Sequence, residues 1–131
     1  MRHLGVDYGE KRIGLALSDP EGKIAMPFKT VTNVKTALAE IAAIVKKEGA
    51  QKIVVGLPIP FSGGASEQTK AVKEFAEKLH DFVGVPVDFE NELLTTKQAA
   101  REGVPKEHLD KAAAAIILQS YLDKKKVEGG K

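Results

Sequence analysis

The sequence predicts an α/β domain, a mixed β-sheet with helices packed on it, and three observations lead there. Residues 1–32 hold three short strand-like runs joined by brief turns. From Val34 the apolar spacing lengthens from two residues to the helical period, and strand-like and helix-like stretches then take turns. The chain has 131 residues, 43% of them hydrophobic, which suits one domain able to bury a core without staples. A single domain over 1–131 is expected, with residues 126–131 as a frayed tail.

The elements follow in order. His3 to Tyr8 alternates, with Leu4, Val6 and Tyr8 on one face and His3, Gly5 and Asp7 on the other. Arg12 to Ser18 repeats the pattern through Ile13, Leu15 and Leu17, and the short Gly9-containing connection predicts an antiparallel hairpin. Asp19-Pro-Glu-Gly22 is a turn signal, and a third strand should run through Thr32. Leu38, Ile41, Ala42 and Val45 predict a helix from Val34 to Lys47, capped by Thr32 or Asn33 and ended by Gly49. Lys52-Ile-Val-Val-Gly-Leu-Pro58 is a continuous apolar strand suited to the middle of a sheet. Ser66 can cap a helix striped by Val72, Phe75, Ala76, Leu79 and Phe82. Val85 to Glu90 reads as a fifth strand. Thr95 and Gln98 form a capping-box pattern for a short helix ending near Gly103, and Pro105 to Lys125 contains the last helix.

Composition narrows the chemistry. The chain has no cysteine, which excludes disulfides, thiol nucleophiles and cysteine-ligated zinc and suits a reducing compartment. It shows neither a secretion signal nor an apolar run long enough to cross a bilayer, so a cytoplasmic protein without a membrane partner is expected. A net charge of +2 neither demands nor excludes a nucleic-acid partner.

Three acids stand where acids are unusual. Asp7 ends the first strand beside Gly5 and Gly9. Glu92 follows the fifth strand. Asp110 shares a helix stripe with Ala113, Ala114, Ile117 and Tyr121, so it should face the sheet. Singly, Glu92 and Asp110 read as a solvated acid and a helix-start acid. Together they point to one sheet edge, where sites gather. Converging carboxylates repel unless a cation joins them, and an all-oxygen set suits Mg²⁺ or Mn²⁺. Such ions serve phosphoryl displacement. Lys11 and Arg12 can then lie along a nucleic-acid backbone, or be plain solvated cations of a hairpin tip. Ser62, Gly63 and Gly64, ahead of the Ser66 helix start, can offer backbone amides to a phosphate or be a simple connection. His80 and His108 read as surface residues.

Leu4-Gly-Val-Asp-Tyr-Gly-Glu-Lys-Arg-Ile-Gly-Leu-Ala-Leu-Ser-Asp19, Lys52 to Pro58, Glu90-Asn-Glu-Leu-Leu-Thr-Thr96 and Leu109 to Asp123 resemble, in that order, the motifs of the YqgF (RuvX) family. The resemblance spans essentially the whole chain. It implies an RNase H-like fold with a five-stranded mixed sheet in the order 3-2-1-4-5. It also implies a metal-dependent nuclease whose three acids fall on Asp7, Glu92 and Asp110. Family members are described as nucleases processing the 5′ end of precursor 16S ribosomal RNA, and in older descriptions as Holliday-junction resolvases. The partner implied is therefore structured RNA, with a DNA junction as the alternative. A monomer is expected, a symmetric dimer if junctions are cut. A third reading is a non-catalytic RNA- or ribosome-associated protein. This chain reads Asn91-Glu92-Leu93 where the family usually has Asp-Glu-Arg.

Overall fold

The computed structural model describes residues 1–59, 66–93 and 109–129. Eight elements follow one another: β1 (His3–Tyr8), β2 (Arg12–Ser18), β3 (Ala25–Thr32), α1 (Ala37–Glu48), β4 (Lys52–Ile59), α2 (Glu67–Val83), β5 (Val87–Leu93) and α3 (Leu109–Gly129). The strands form one five-stranded sheet in the order β3-β2-β1-β4-β5. β1–β2 and β2–β3 are antiparallel, whereas β1–β4 and β4–β5 are parallel. Both the mixed sheet and its strand order agree with the expectation. The short helix expected after Thr95, the segment with Ser62, Gly63 and Gly64, and His108 lie outside the described residues.

Alternation along the strands divides the interior in two. Leu4, Val6, Ile13, Leu15, Ile53, Val55 and Leu57 pack under α1 and α2. Ala16 and Val54 pack on the opposite face under Ala114, Ile117, Leu118, Tyr121 and Leu122 of α3. β4 is thus covered on both sides, which is why its sequence is apolar without a break. Two glycines let α3 settle on the sheet. A Cβ on Gly5 would stand 2.7 Å from the Leu118 Cβ and 3.0 Å from the Ala114 carbonyl oxygen. A Cβ on Gly14 would overlap the backbone carbonyl of Asp110.

Several boundaries differ from expectation for identifiable reasons. α1 begins at Ala37, with Thr36 in the cap position and no side-chain cap. Asn33, expected to cap that helix, is committed elsewhere. Its amide nitrogen Nδ2 donates to the Gly9 carbonyl at 2.8 Å, and its backbone N–H donates to the Lys11 carbonyl at 2.9 Å. It therefore clamps the β1–β2 turn. Phe82 leaves the stripe of α2 and is 56% exposed, because the helix ends at Val83. β5 starts at Val87 and continues to Leu93, so Glu92 lies within the strand rather than after it. The Ser66 cap is as expected: its hydroxyl accepts from the Thr69 N–H at 3.1 Å, and Thr69 closes a capping box.

A polar seam joins the far end of α3 to β5. Tyr121 donates to Asp88 at 2.7 Å, while Ser120 and Lys124 donate to Glu90, each at 2.7 Å. Burial, helped by the bond to Asp88, pushes the Tyr121 phenol up to about 12 from its ordinary 10.0. The Tyr121 hydroxyl in turn holds the Asp88 carboxyl below its ordinary 3.8. Above pH 10 the unfolded chain loses the tyrosyl proton before the folded one does. Stability is therefore complete below pH 10 and falls as pH rises toward about 12. The Asp88 contribution is present above pH 3.8 and falls as acid protonates the folded carboxylate. Tyr121→Phe should flatten both limbs, seen as a weaker pH dependence of the urea midpoint in the acid and alkaline ranges.

Candidate active site

Asp7 stands one residue short of the end of β1, on the α3 face, and is only 4% exposed. Its partner across the β1–β2 ladder is Gly14. Directly opposed residues of an antiparallel pair share a face at a Cβ separation of about 4.5–5.5 Å. Where Gly14 lacks a side chain, the backbone of Asp110 fills the place. The second residue of α3 is thus brought to the strand position facing Asp7. The first and third expected acids, 103 positions apart in number, are neighbours for this reason.

Arg12 opens β2 two residues before Gly14. Its Nε donates to Asp110 Oδ2 at 2.8 Å, with the Arg12 side chain 46% exposed and that of Asp110 14%. The cation expected to meet substrate phosphate therefore already holds a carboxylate. Lys11 is exposed at the hairpin tip beside it. Both are held in place by the Asn33 clamp, which the sequence reading missed.

The second expected acid enters differently. β4 and β5 pair Val55 with Phe89 and Pro58 with Glu92, while β1 and β4 pair Val6 with Val55. Glu92 thus lies at the same sheet edge as Asp7. It is two strand spacings away, about 10 Å, and two residues further along, about 7 Å. Its side chain is outside the described residues. The acid of β5 nearer the level of Asp7 is Glu90, whose side chain is 6% exposed and bound by Ser120 and Lys124. The signal for this acid is the alternation Asp88-Phe89-Glu90, which puts two carboxylates on one strand face.

Beside the hairpin, on the α2 side, opens a cleft of ≈ 580 Å³ lined by Tyr8, Gly9, Glu10, Glu67, Gln68 and Ala71. Two carboxylates on its wall repel a phosphate backbone. Among the described residues, no group of three or more His, Asp or Glu converges to hold a metal ion. His80 is exposed, its ring 3.6 Å from Asp81. No helix among the described residues is long and apolar enough to cross a membrane.

A donor set of carboxylate oxygens fits a hard divalent cation. The Asp110 carboxylate already carries a positive partner, the Arg12 guanidinium. The close seat of Asp110 on Gly14 brings the backbone of Asp110 to the strand position paired with Asp7.

Comparison with known proteins agrees with this architecture. The family model described as "RuvX: Holliday junction resolvase" matches residues 1–124. A protein of Caldanaerobacter subterraneus described as "Putative pre-16S rRNA nuclease" is 44% identical over 138 residues, covering 96% of this chain and 99% of that protein. One of Syntrophus aciditrophicus with the same description is 42% identical, covering 94% and 89%. Among solved structures, Thermus thermophilus RuvC in complex with a Holliday junction superposes with a TM-score of 0.59 at 15% identity, covering 95% of each chain. The fowlpox virus Holliday junction resolvase gives 0.55 at 16%, covering 95% of this chain and 99% of that one. At these identities the structures establish a shared fold, that of RuvC-like resolvases.

Proposed function

Because the chain belongs to the RuvX family, we propose that it is a divalent-metal-dependent nuclease that hydrolyses phosphodiester bonds of structured RNA. Its cellular target is the 5′ end of precursor 16S ribosomal RNA. What supports the reading is the seat of the Asp110 backbone on Gly14, the strand partner of Asp7, in a chain whose relatives at 44% and 42% identity are each described as "Putative pre-16S rRNA nuclease".

Asp7, Asp110 and Glu92 would hold Mg²⁺ or Mn²⁺. Bound there, the metal supplies Lewis-acid polarisation of the scissile phosphate and a water acidified to a nucleophile at neutral pH. The chain's own groups do the rest. Asp7, buried at the strand end, offers its carboxylate from a rigid element. Lys11 and Arg12 neutralise substrate phosphates at the rim and orient the strand. The acid-lined cleft on the α2 side turns the backbone away, so the phosphates run along the Arg12 side. Ser62, Gly63 and Gly64, which lie outside the described residues, would add backbone amides to the contact with the strand. The enzyme acts as a cytoplasmic monomer, since trimming one strand needs one site.

Cleavage of a precursor-rRNA hairpin and of a four-way DNA junction, each with Mg²⁺, Mn²⁺ or chelator, tests this. RNA cleavage that chelator abolishes and either ion restores is expected. Metal-independent cleavage overturns the metal assignment. A second reading, a DNA junction resolvase, is favoured by the fold shared with RuvC and the fowlpox enzyme. It requires a symmetric dimer making paired nicks in the junction, and that outcome would replace RNA as the substrate.

A further inference from the structure

We infer that Arg12 is a placeholder cation. It holds Asp110 while no metal is bound, and passes to a substrate phosphate when metal takes the carboxylate, so that metal and nucleic acid promote each other's binding. The inference rests on the metal-site reading above and goes beyond it, because it assigns to one residue two successive partners.

Three features on the same few residues lead to it. First, the Asp110 side chain is only 14% exposed, and a carboxylate so enclosed needs a counter-charge. Arg12 supplies one at 2.8 Å through Nε, one of the five donors of its fork. Second, Arg12 is 46% exposed and stands at the first position of β2, where its long stem can reach toward solvent without disturbing the sheet. Third, the Asp110 backbone is wedged on Gly14, and the Asn33 clamp fixes the turn before Arg12. The Asp110 backbone and the arginine's Cα are both held by packing, so the part free to change partners is the long arm that carries the guanidinium.

Asp110 cannot give its oxygens fully to a guanidinium and to a metal at once. A metal that takes Asp110 Oδ2, the oxygen Arg12 holds, must displace Arg12 in the free protein, which weakens metal affinity. A phosphate arriving at the hairpin offers the displaced guanidinium an equally good, bidentate acceptor. Substrate thereby removes the competitor, and the linkage is reciprocal: each ligand tightens the other by the same factor, typically 5- to 150-fold. The device keeps the free enzyme poorly loaded and completes the site on substrate.

The test is Mn²⁺ titration by calorimetry, with and without a fully phosphorothioate RNA hairpin, on the wild type and on Arg12→Gln, Arg12→Lys, Lys11→Gln and Asp7→Asn. Arg12→Gln should bind Mn²⁺ about tenfold more tightly than wild type without RNA, and should lose most of the tightening that RNA produces. Arg12→Lys, which keeps a cation in reach, should stay near wild type. Lys11→Gln removes an equal charge without the contact, so it should raise affinity far less. Equal Mn²⁺ affinity in Arg12→Gln and wild type would overturn the inference. So would an equal gain from Lys11→Gln, which would mean a general field effect rather than displacement. Asp7→Asn separates the two levels. If it binds Mn²⁺ as well as wild type, the metal site itself is wrong. If it weakens binding while Arg12→Gln changes nothing, only the placeholder role fails.

Discussion

Gly14→Ala should cost on the order of 100-fold in nuclease activity, because the methyl group must enter space that the Asp110 carbonyl occupies. Something must move, and the obstructing atoms are backbone. α3 will lift at its N-terminal end, carrying Asp110 away from Asp7. A displacement of about 1 Å at a reacting geometry is enough for a loss of this size. Overpacking of this kind also destabilises by about 1–3 kcal/mol, or a fall of roughly 4–11 °C in Tm for a domain of this length. Gly5→Ala provides the comparison. Its methyl group meets a Leu118 side-chain carbon and the Ala114 carbonyl one to two turns further along the helix. It should lower Tm similarly yet spare more activity, because the strain falls away from Asp110. The two variants assayed side by side below their melting temperatures check this. Equal activity in both would mean that the seat of Asp110 does not matter to the reaction.

Asp7→Asn should lower kcat on the order of 10³-fold, about 4 kcal/mol of transition-state stabilisation, which is the scale of a Lewis acid withdrawn from a developing charge. Asparagine keeps the size of the side chain and one acceptor oxygen but removes the charge that a hard cation requires. The metal-free proteins should melt within a few degrees of each other. Saturating Mn²⁺ should then raise the wild-type melting point and leave that of the variant where it was. At free metal 100 times the dissociation constant, the expected stabilisation of the wild type is about 2.7 kcal/mol. A variant with full activity and the same Mn²⁺-dependent Tm shift would remove Asp7 from the site.

The parts of this architecture that were legible from sequence are those fixed by neighbours a few residues away. The two-residue period of His3 to Tyr8 gave the faces of β1, and with them the separation of Asp7 from the α1–α2 side. Counting along the last helix put Asp110 on the stripe with Ala113, Ala114, Ile117 and Tyr121, all of which are buried. Asn33 was misread because two uses compete for the same side chain. A local helix cap was visible in the sequence, whereas a bond to Gly9, 24 residues earlier, was not. The Arg12–Asp110 pair bridges 98 residues and follows only from the three-dimensional seat of α3 on Gly14. Glu90 illustrates the same limit. Its alternation with Phe89 was open to view, but that Lys124 and Ser120 would occupy it depends on how α3 crosses the sheet.

The resting place of α3 also sets the order in which the molecule becomes competent. β1 and β2 can pair as soon as both have been synthesised, but their outer face remains bare until the last described helix arrives. Chains fold broadly from the N-terminus as they are made, and contacts of high sequence separation close late. Asp7 therefore waits for Asp110 until nearly all of these elements exist. A nascent chain, or one truncated before α3, carries Asp7 without Asp110 and without the helix that covers this face of the sheet. On the proposed site, completion of the fold and the onset of hydrolytic capacity would coincide.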